Sequence, residues 1–166
     1  RLRGLSVNSI AYDEIQGMNM EFIPIINEAM TARDYRLEQY SGTPLTMDNP
    51  LESKWQETSM AEWAIKCEAC GRTNLAGYDQ DLMEMIGKTG LVCANKKCCK
   101  PLITQKGYWY HTIKERRNSA VGYHLPQVIF PMHCQDEERW AALLQKQAND
   151  QFLFMTECLG DSWDSR

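Results

Sequence analysis

Nowhere in these 166 residues does an apolar run approach the roughly 20 residues that span a bilayer, so the sequence offers no membrane-spanning helix. Arg1-Leu2-Arg3-Gly4 has no apolar stretch behind it, and no secretory leader is read there. Position 1 is also not a methionine, so the chain is read as an internal piece of a longer protein. There is no internal repeat and no low-complexity tract, which removes solenoid and linker readings. Histidine is sparse: His111, His124 and His133 are scattered, as surface or satisfied core residues are, rather than gathered as metal ligands. The absence with most consequence is chemical. No Gly-x-x-x-x-Gly-Lys-Ser/Thr occurs, so nothing in this stretch cradles a triphosphate.

What remains is an ordinary globular composition, 43% hydrophobic and 24% charged, long enough for one sizeable core or a partial core with an appendage. The net charge of -4 argues against polyanion binding by bulk electrostatics. Locally the balance reverses: between Cys93 and Arg117, Lys96, Lys97, Lys100, Lys106, Lys114, Arg116 and Arg117 face Glu115 alone. Such a cluster is either a solvated surface or a phosphate-contacting one.

Seven cysteines are an odd number, and four of them form two close pairs, which fits metal in a reducing compartment better than disulfides. Cys67-x₂-Cys70 is followed by Gly71, where a knuckle turn needs permissive backbone. Cys93-x₄-Cys98, with Cys99 adjacent, supplies the second pair. Cys98 is the preferred fourth ligand and Cys99 the alternative. Four thiolates leave no open position, so the expected role is structural zinc that staples a small domain. Cys134 and Cys158 lie among apolar residues and read as core cysteines. Tyr108, Trp109 and Tyr110 read as packing against the knuckle, with base stacking as the other use of such residues.

Leu5 to Ala11 alternates apolar and polar residues and ends at Tyr12-Asp13-Glu14, a strand with two carboxylates at its C-terminal edge. Ser6, Asn8 and Ser9 make it more polar than a central parallel strand. Helical spacing runs from Met20 to Tyr35, with Pro24 tolerable in the first turn. Arg36 to Tyr40 predicts a second strand, ended by Ser41-Gly42-Thr43-Pro44. Strand, helix and strand over about 40 residues is the size of a parallel crossover. The stretch from Pro44 to Ser59 is polar and turn-rich and is expected to be a boundary. Tyr123 to Pro131 is expected as a short strand broken at Pro126. Asp136 to Asp150 is expected as a helix whose acidic start suits its dipole, with Trp140, Leu143, Leu144 and Gln147 on one face.

Open parallel sheets place their ligand chemistry at strand C-termini. In P-loop triphosphatases an Asp there holds Mg²⁺, and a neighbouring Glu orients or deprotonates the attacking water. An Asp-Glu pair alone is more often a solvated turn. Ser41-Gly42-Thr43, expected at the end of the neighbouring strand, adds hydroxyls that can bond the carboxylate or the water. The two elements together, in this order, read as part of an ATPase core.

The order of parts resembles the large terminase subunits of tailed bacteriophages and prophages. Arg3-Gly4 and then Ile10-Ala11-Tyr12-Asp13-Glu14 look like that family's Walker B strand, and Ser41-Gly42-Thr43-Pro44 like its coupling motif. Trp63, Cys67-Glu68-Ala69-Cys70-Gly71 and the later cysteines look like the zinc insert of the lambda-type branch. Gly122-Tyr123-His124-Leu125-Pro126 resembles the strand after that insert. Phe154-Met155-Thr156-Glu157-Cys158-Leu159-Gly160 resembles the signature preceding the nuclease domain.

The resemblance implies an α/β fold: the C-terminal part of a P-loop NTPase parallel sheet, a small Cys₄ insert, and a mixed α+β segment leading to a nuclease domain. Residues 1-58 would then be ATPase core, 59-112 the zinc insert, and 113-166 the return to the core and the linker. It implies Asp13 for the Mg²⁺ of ATP, Glu14 as catalytic carboxylate, and Ser41, Gly42 and Thr43 for coupling hydrolysis to movement. Double-stranded viral DNA, a portal protein and a small terminase subunit would be partners of a homo-oligomeric motor in the bacterial host's cytoplasm, with no membrane involved. Asp161 and Asp164 are not assigned to the nuclease centre, whose acidic residues the family places further on. Two rival readings are a helicase, which also pairs an Asp-Glu strand end with a Ser-x-Thr turn, and a non-enzymatic zinc-ribbon module that binds nucleic acid.

Overall fold

The computed structural model describes residues 5-77 and 80-163; Arg3, Gly4 and Asp164 lie outside them. The architecture is mixed α/β with two small sheets. Strand β1 (Ser9–Tyr12) pairs in parallel with β2 (Leu37–Tyr40), in register from Ser9 opposite Leu37 to Tyr12 opposite Tyr40. Helix α1 (Phe22–Asn27) lies between them in the chain and keeps Pro24 in its first turn, where no intrahelical donor is lost. The crossover expected from the sequence is therefore present. Tyr12, Ile15 and Ile23 form its buried centre, with Ile10, Met18, Met20, Ile26, Tyr40 and Leu51 packed around them. Tyr12 stacks on Tyr40 at 5.1 Å and donates its hydroxyl to Asn27 at 2.6 Å.

The expected helix to Tyr35 is shorter. After a 3₁₀ turn at Glu28–Met30, the Thr31 hydroxyl bonds the Glu28 carbonyl and the Arg36 guanidinium takes the Thr31 carbonyl. Side chains thus claim the acceptors that a further turn of helix would need. The first strand is also shorter than expected, with Ser6 and Asn8 ahead of it and Ser9 exposed.

The supposed turn region before Ser59 contains helix α2 (Pro50–Gln56). Asp48-Asn49-Pro50 is its start rather than a loop: the Asn49 side chain accepts the Leu51 N–H at 2.9 Å, and Pro50 occupies the first turn. Strands β3 (Ala61–Lys66), β4 (Thr73–Leu75) and β5 (Tyr108–His111) form an antiparallel sheet in the order β4-β3-β5. The expected strand from Tyr123 is absent. Tyr123 makes one parallel bridge to Ala61, and Gln127–Ile129 forms a 3₁₀ turn between Pro126 and Pro131. Two prolines that cannot donate to a ladder account for this.

Short helix α3 (Pro131–Cys134) leads into α4 (Glu137–Asn149), whose N-terminus is capped by Asp136 accepting the Arg139 N–H at 2.9 Å. Trp140 and Leu143 are buried, as their shared face predicts, and the indole of Trp140 donates to the Gly87 carbonyl at 2.9 Å. Helix α5 (Gln151–Leu153) runs into a π-helical turn, Phe154–Leu159, that ends at Gly160 with φ +69°. This turn buries Phe154, Met155, Thr156, Cys158 and Leu159. One hydrophobic core joins Ile65, Ala76, Met85 and Leu91 of the cysteine segment to Val128, Trp140, Leu143 and Leu159. Cys134 and Cys158 are buried, as expected. Among the described residues no helix is long and apolar enough to cross a membrane.

Candidate metal centre and carboxylate edge

The sulfurs of Cys67, Cys70, Cys93 and Cys98 all lie within 4.8 Å of one another. Two turns bring them together. In the first, Cys67 N–H bonds the Arg72 carbonyl at 2.8 Å, Gly71 N–H bonds the Cys67 carbonyl at 2.9 Å, and Gly71 takes φ +76°, a conformation that favours glycine. In the second, Cys93 N–H bonds the Lys100 carbonyl at 2.8 Å. The Cys98 and Cys99 amides meet the Asn95 carbonyl, and the Lys97 amide meets the Asn95 side chain. The four-residue gap of the second pair is therefore an Asn-centred turn that still aims both thiols inward.

Four sulfurs about 2.3 Å from one zinc in a tetrahedron lie about 3.8 Å from each other. Cys67 to Cys98 measures 3.8 Å and Cys70 to Cys93 measures 3.6 Å. These distances suit one tetrahedral ion and far exceed a disulfide's length. The donor set thus fits a metal ion with a closed thiolate shell.

Protonation at the four thiols is uneven. The Arg72 amide lowers the Cys70 thiol to about 7, with smaller help from neighbouring thiols. Burial pushes Cys93 up to about 12. At Cys98 the Lys100 amide pulls down, but burial and the facing thiols outweigh it and the net shift is upward. A metal entering here must displace protons, so its hold strengthens as pH rises.

Cys99 is not part of the cluster. It sits at φ +47° with an exposed thiol turned to the Asn95 and Lys96 carbonyls, at 3.7 and 3.4 Å. The alternative left open by spacing is closed by the direction of this one side chain. His111 bonds Ser59 at 2.8 Å, and none of the three histidines joins the thiols. Of the aromatic run expected to pack against the knuckle, Trp109 packs edge-on against Trp63 and Tyr123 instead, at 5.0 and 4.9 Å, while Tyr108 is exposed.

The residue that unites the two knuckles carried no motif. Asn74, fully buried on β4, donates to the Ile65 and Arg72 carbonyls and accepts the Ala94 N–H at 2.9 Å. A lone Asn in a strand gives no sequence signal for this. Asn74→Ala would strand the buried Ala94 N–H, a loss of roughly 1–3 kcal/mol by the cost of an unmade buried hydrogen bond. Denaturant unfolding of the metal-loaded chain measures it, and an unchanged midpoint would remove Asn74 from this account.

A second cluster sits where β1 and β2 end side by side. The Ser41 hydroxyl donates to Asp13 Oδ1 at 2.8 Å, Ser41 N–H bonds the Tyr12 carbonyl at 2.9 Å, and Ile15 N–H bonds the Ser41 carbonyl at 3.1 Å. Glu14 takes φ +51°, an uncommon state for a non-glycine residue that concentrates at functional sites. Its carboxylate accepts a hydrogen bond from the Gln16 amide. Asp13, Glu14 and Ser41 are exposed, while Gly42 and Thr43 are half-buried. Asp13 of the carboxylate pair and Ser41 of the hydroxyl turn, 28 residues apart in sequence, thus meet at this edge. Searches of protein-family models, curated proteins and solved structures return no match to this chain.

Proposed function

We propose that this chain is part of an ATP-driven DNA-packaging enzyme of the large-terminase type, carrying the hydrolytic edge of its ATPase core and a structural zinc site. One observation supports the reading most: the Ser41 hydroxyl bonds the Asp13 carboxylate at the shared C-terminal end of two parallel strands. Strand ends in open parallel sheets are where such chemistry is housed.

In this reading Asp13 holds the Mg²⁺ of ATP, and Glu14 orients the water that attacks the γ-phosphate. Ser41, Gly42 and Thr43 carry the nucleotide state to the rest of the protein, which moves double-stranded DNA into a capsid. The phosphate-binding loop, which this stretch does not contain, comes from preceding sequence, and a separate nuclease domain cuts concatemers. Portal protein, small terminase subunit and further copies of the motor are the partners, in the bacterial host's cytoplasm. Zinc is the metal the four thiolates suit, because it accepts a closed tetrahedral sulfur shell without redox chemistry.

The test is ATP hydrolysis by the intact protein. Asp13→Asn and Glu14→Gln are each expected to lower kcat by roughly 100-fold or more, the scale of a removed catalytic carboxylate. Unchanged hydrolysis in both variants would overturn the motor reading and leave a zinc module.

A further inference from the structure

We infer that Gln16 is a positioning residue that holds the Glu14 carboxylate and links it mechanically to the Ser41-Gly42-Thr43 turn. The inference rests on the hydrolytic reading of Asp13 and Glu14 given above. Gln16 Nε2 donates to Glu14 Oε2. A carboxylate accepts only, so the amide nitrogen must be the end that faces it. The other end, Oε1, is therefore turned the opposite way. It is buried, no donor among the described residues reaches it, and it rests against Gly42.

That contact explains the glycine. A Cβ at Gly42 would overlap Gln16 Oε1 and come within 3.3 Å of the Ile15 nitrogen. Its φ is not in the left-handed region, so space and not backbone conformation demands glycine there. Three links then join the two segments in sequence: Asp13 to the Ser41 hydroxyl, Ile15 N–H to the Ser41 carbonyl, and Gln16 to Gly42. Ile15 is fully buried and anchors the stretch between them. Glu14, at φ +51° and exposed, is fixed neither by its own backbone preference nor by burial. The amide of Gln16 supplies the missing constraint. A shift of the turn therefore reaches the carboxylate through the one side chain that touches both.

The experiment measures steady-state ATP hydrolysis and thermal unfolding of the intact protein carrying Gln16→Ala, Gly42→Ala, or both, with Glu14→Gln as reference. Removing the amide is expected to lower kcat about 10- to 100-fold, the value of a hydrogen bond to a charged group. KM for ATP should stay within about twofold, because Gln16 orients the water-handling carboxylate rather than the nucleotide. Gly42→Ala should lower kcat similarly by pushing the amide off Glu14. The double variant should lose no more than either single one, since both act through the same contact. A structural role alone would lower the unfolding temperature and leave kcat of the folded fraction intact, which overturns the inference. So would additive losses in the double variant. Full activity in Gln16→Ala while Glu14→Gln is inactive overturns the inference and spares the motor reading; full activity in Glu14→Gln overturns both.

Discussion

Cys98→Ser is expected to purify without metal, whereas Cys99→Ser, one residue later, should retain one zinc per chain. The two thiols are neighbours in sequence but face opposite ways. Cys98 Sγ stands 3.8 Å from Cys67 Sγ, while the Cys99 thiol is directed at two backbone carbonyls outside the cluster. Removing one of four ligands leaves three thiolates whose mutual repulsion no cation offsets fully. Structural zinc in small sites contributes on the order of 10 kcal/mol to folding, so the effect should be loss of the knuckle and not a mild weakening. Strands β3 and β4 are joined through the first knuckle, and Asn74 ties both knuckles to that sheet. The loss should therefore spread into the core around Ile65, Ala76 and Leu91. Metal analysis of the two purified variants, with circular dichroism, reads the difference. Zinc retained in Cys98→Ser and lost in Cys99→Ser would reverse the assignment.

Glu62→Gln should destabilise the folded chain by roughly 3–5 kcal/mol near neutral pH, the usual cost of breaking a buried ion pair from one side. His124 Nδ1 lies 2.7 Å from Glu62 Oε2, and Nε2 lies 2.6 Å from the Leu159 carbonyl. Both partners are acceptors, so the ring donates from both nitrogens and is cationic. Burial pulls the His124 pKa down, but the hydrogen bond and charge of Glu62, with Asp161 and the Leu159 carbonyl, more than offset it and the net shift is upward from 6.5. A raised folded pKa means that the stabilisation is fully present below about 6.5 and is lost as pH rises through the folded value. Unfolding free energy of the unaltered protein should therefore decline above neutrality through this group. In Glu62→Gln that decline should largely vanish, because the cation has lost its main partner. Urea unfolding at several pH values between 5.5 and 9 reads both effects, and equal stability of the two chains at pH 6 would contradict the ion-pair assignment. The pair also joins β3 to the end of the π-helical turn, where Gly160 packs with His124 Nε2 3.1 Å from where a Cβ would sit.

The sequence made the parallel crossover legible because its signals were local: an alternating stretch, a helical period with proline in the first turn, and a turn of small residues. The metal site was legible for a similar reason, since a Cys-x₂-Cys-Gly turn has few other uses. Its fourth ligand was read as Cys98 with Cys99 left open, and the structure brings Cys98 in, because which of the two faces inward depends on the Asn95 turn rather than on spacing. Helix α2 was hidden by its own cap: Asp48, Asn49 and Pro50 are turn formers that here begin a helix. The π-helical turn at Phe154–Leu159 has no periodicity of its own to read. Asn74, Glu62 and Gln16 were missed for one shared reason. Each works through partners far away in the chain or across a turn, and single polar residues announce no such pairing.

The central claim is that Asp13, Glu14 and Ser41 form the hydrolytic edge of an ATPase. Its most direct test is to measure nucleotide binding and single-turnover hydrolysis together on the intact protein with Glu14→Gln. The account predicts ATP bound with near-normal affinity and hydrolysed at least 100-fold more slowly, as expected when the water-activating group is lost and the binding groups stay. ATP hydrolysed at the unaltered rate would contradict it.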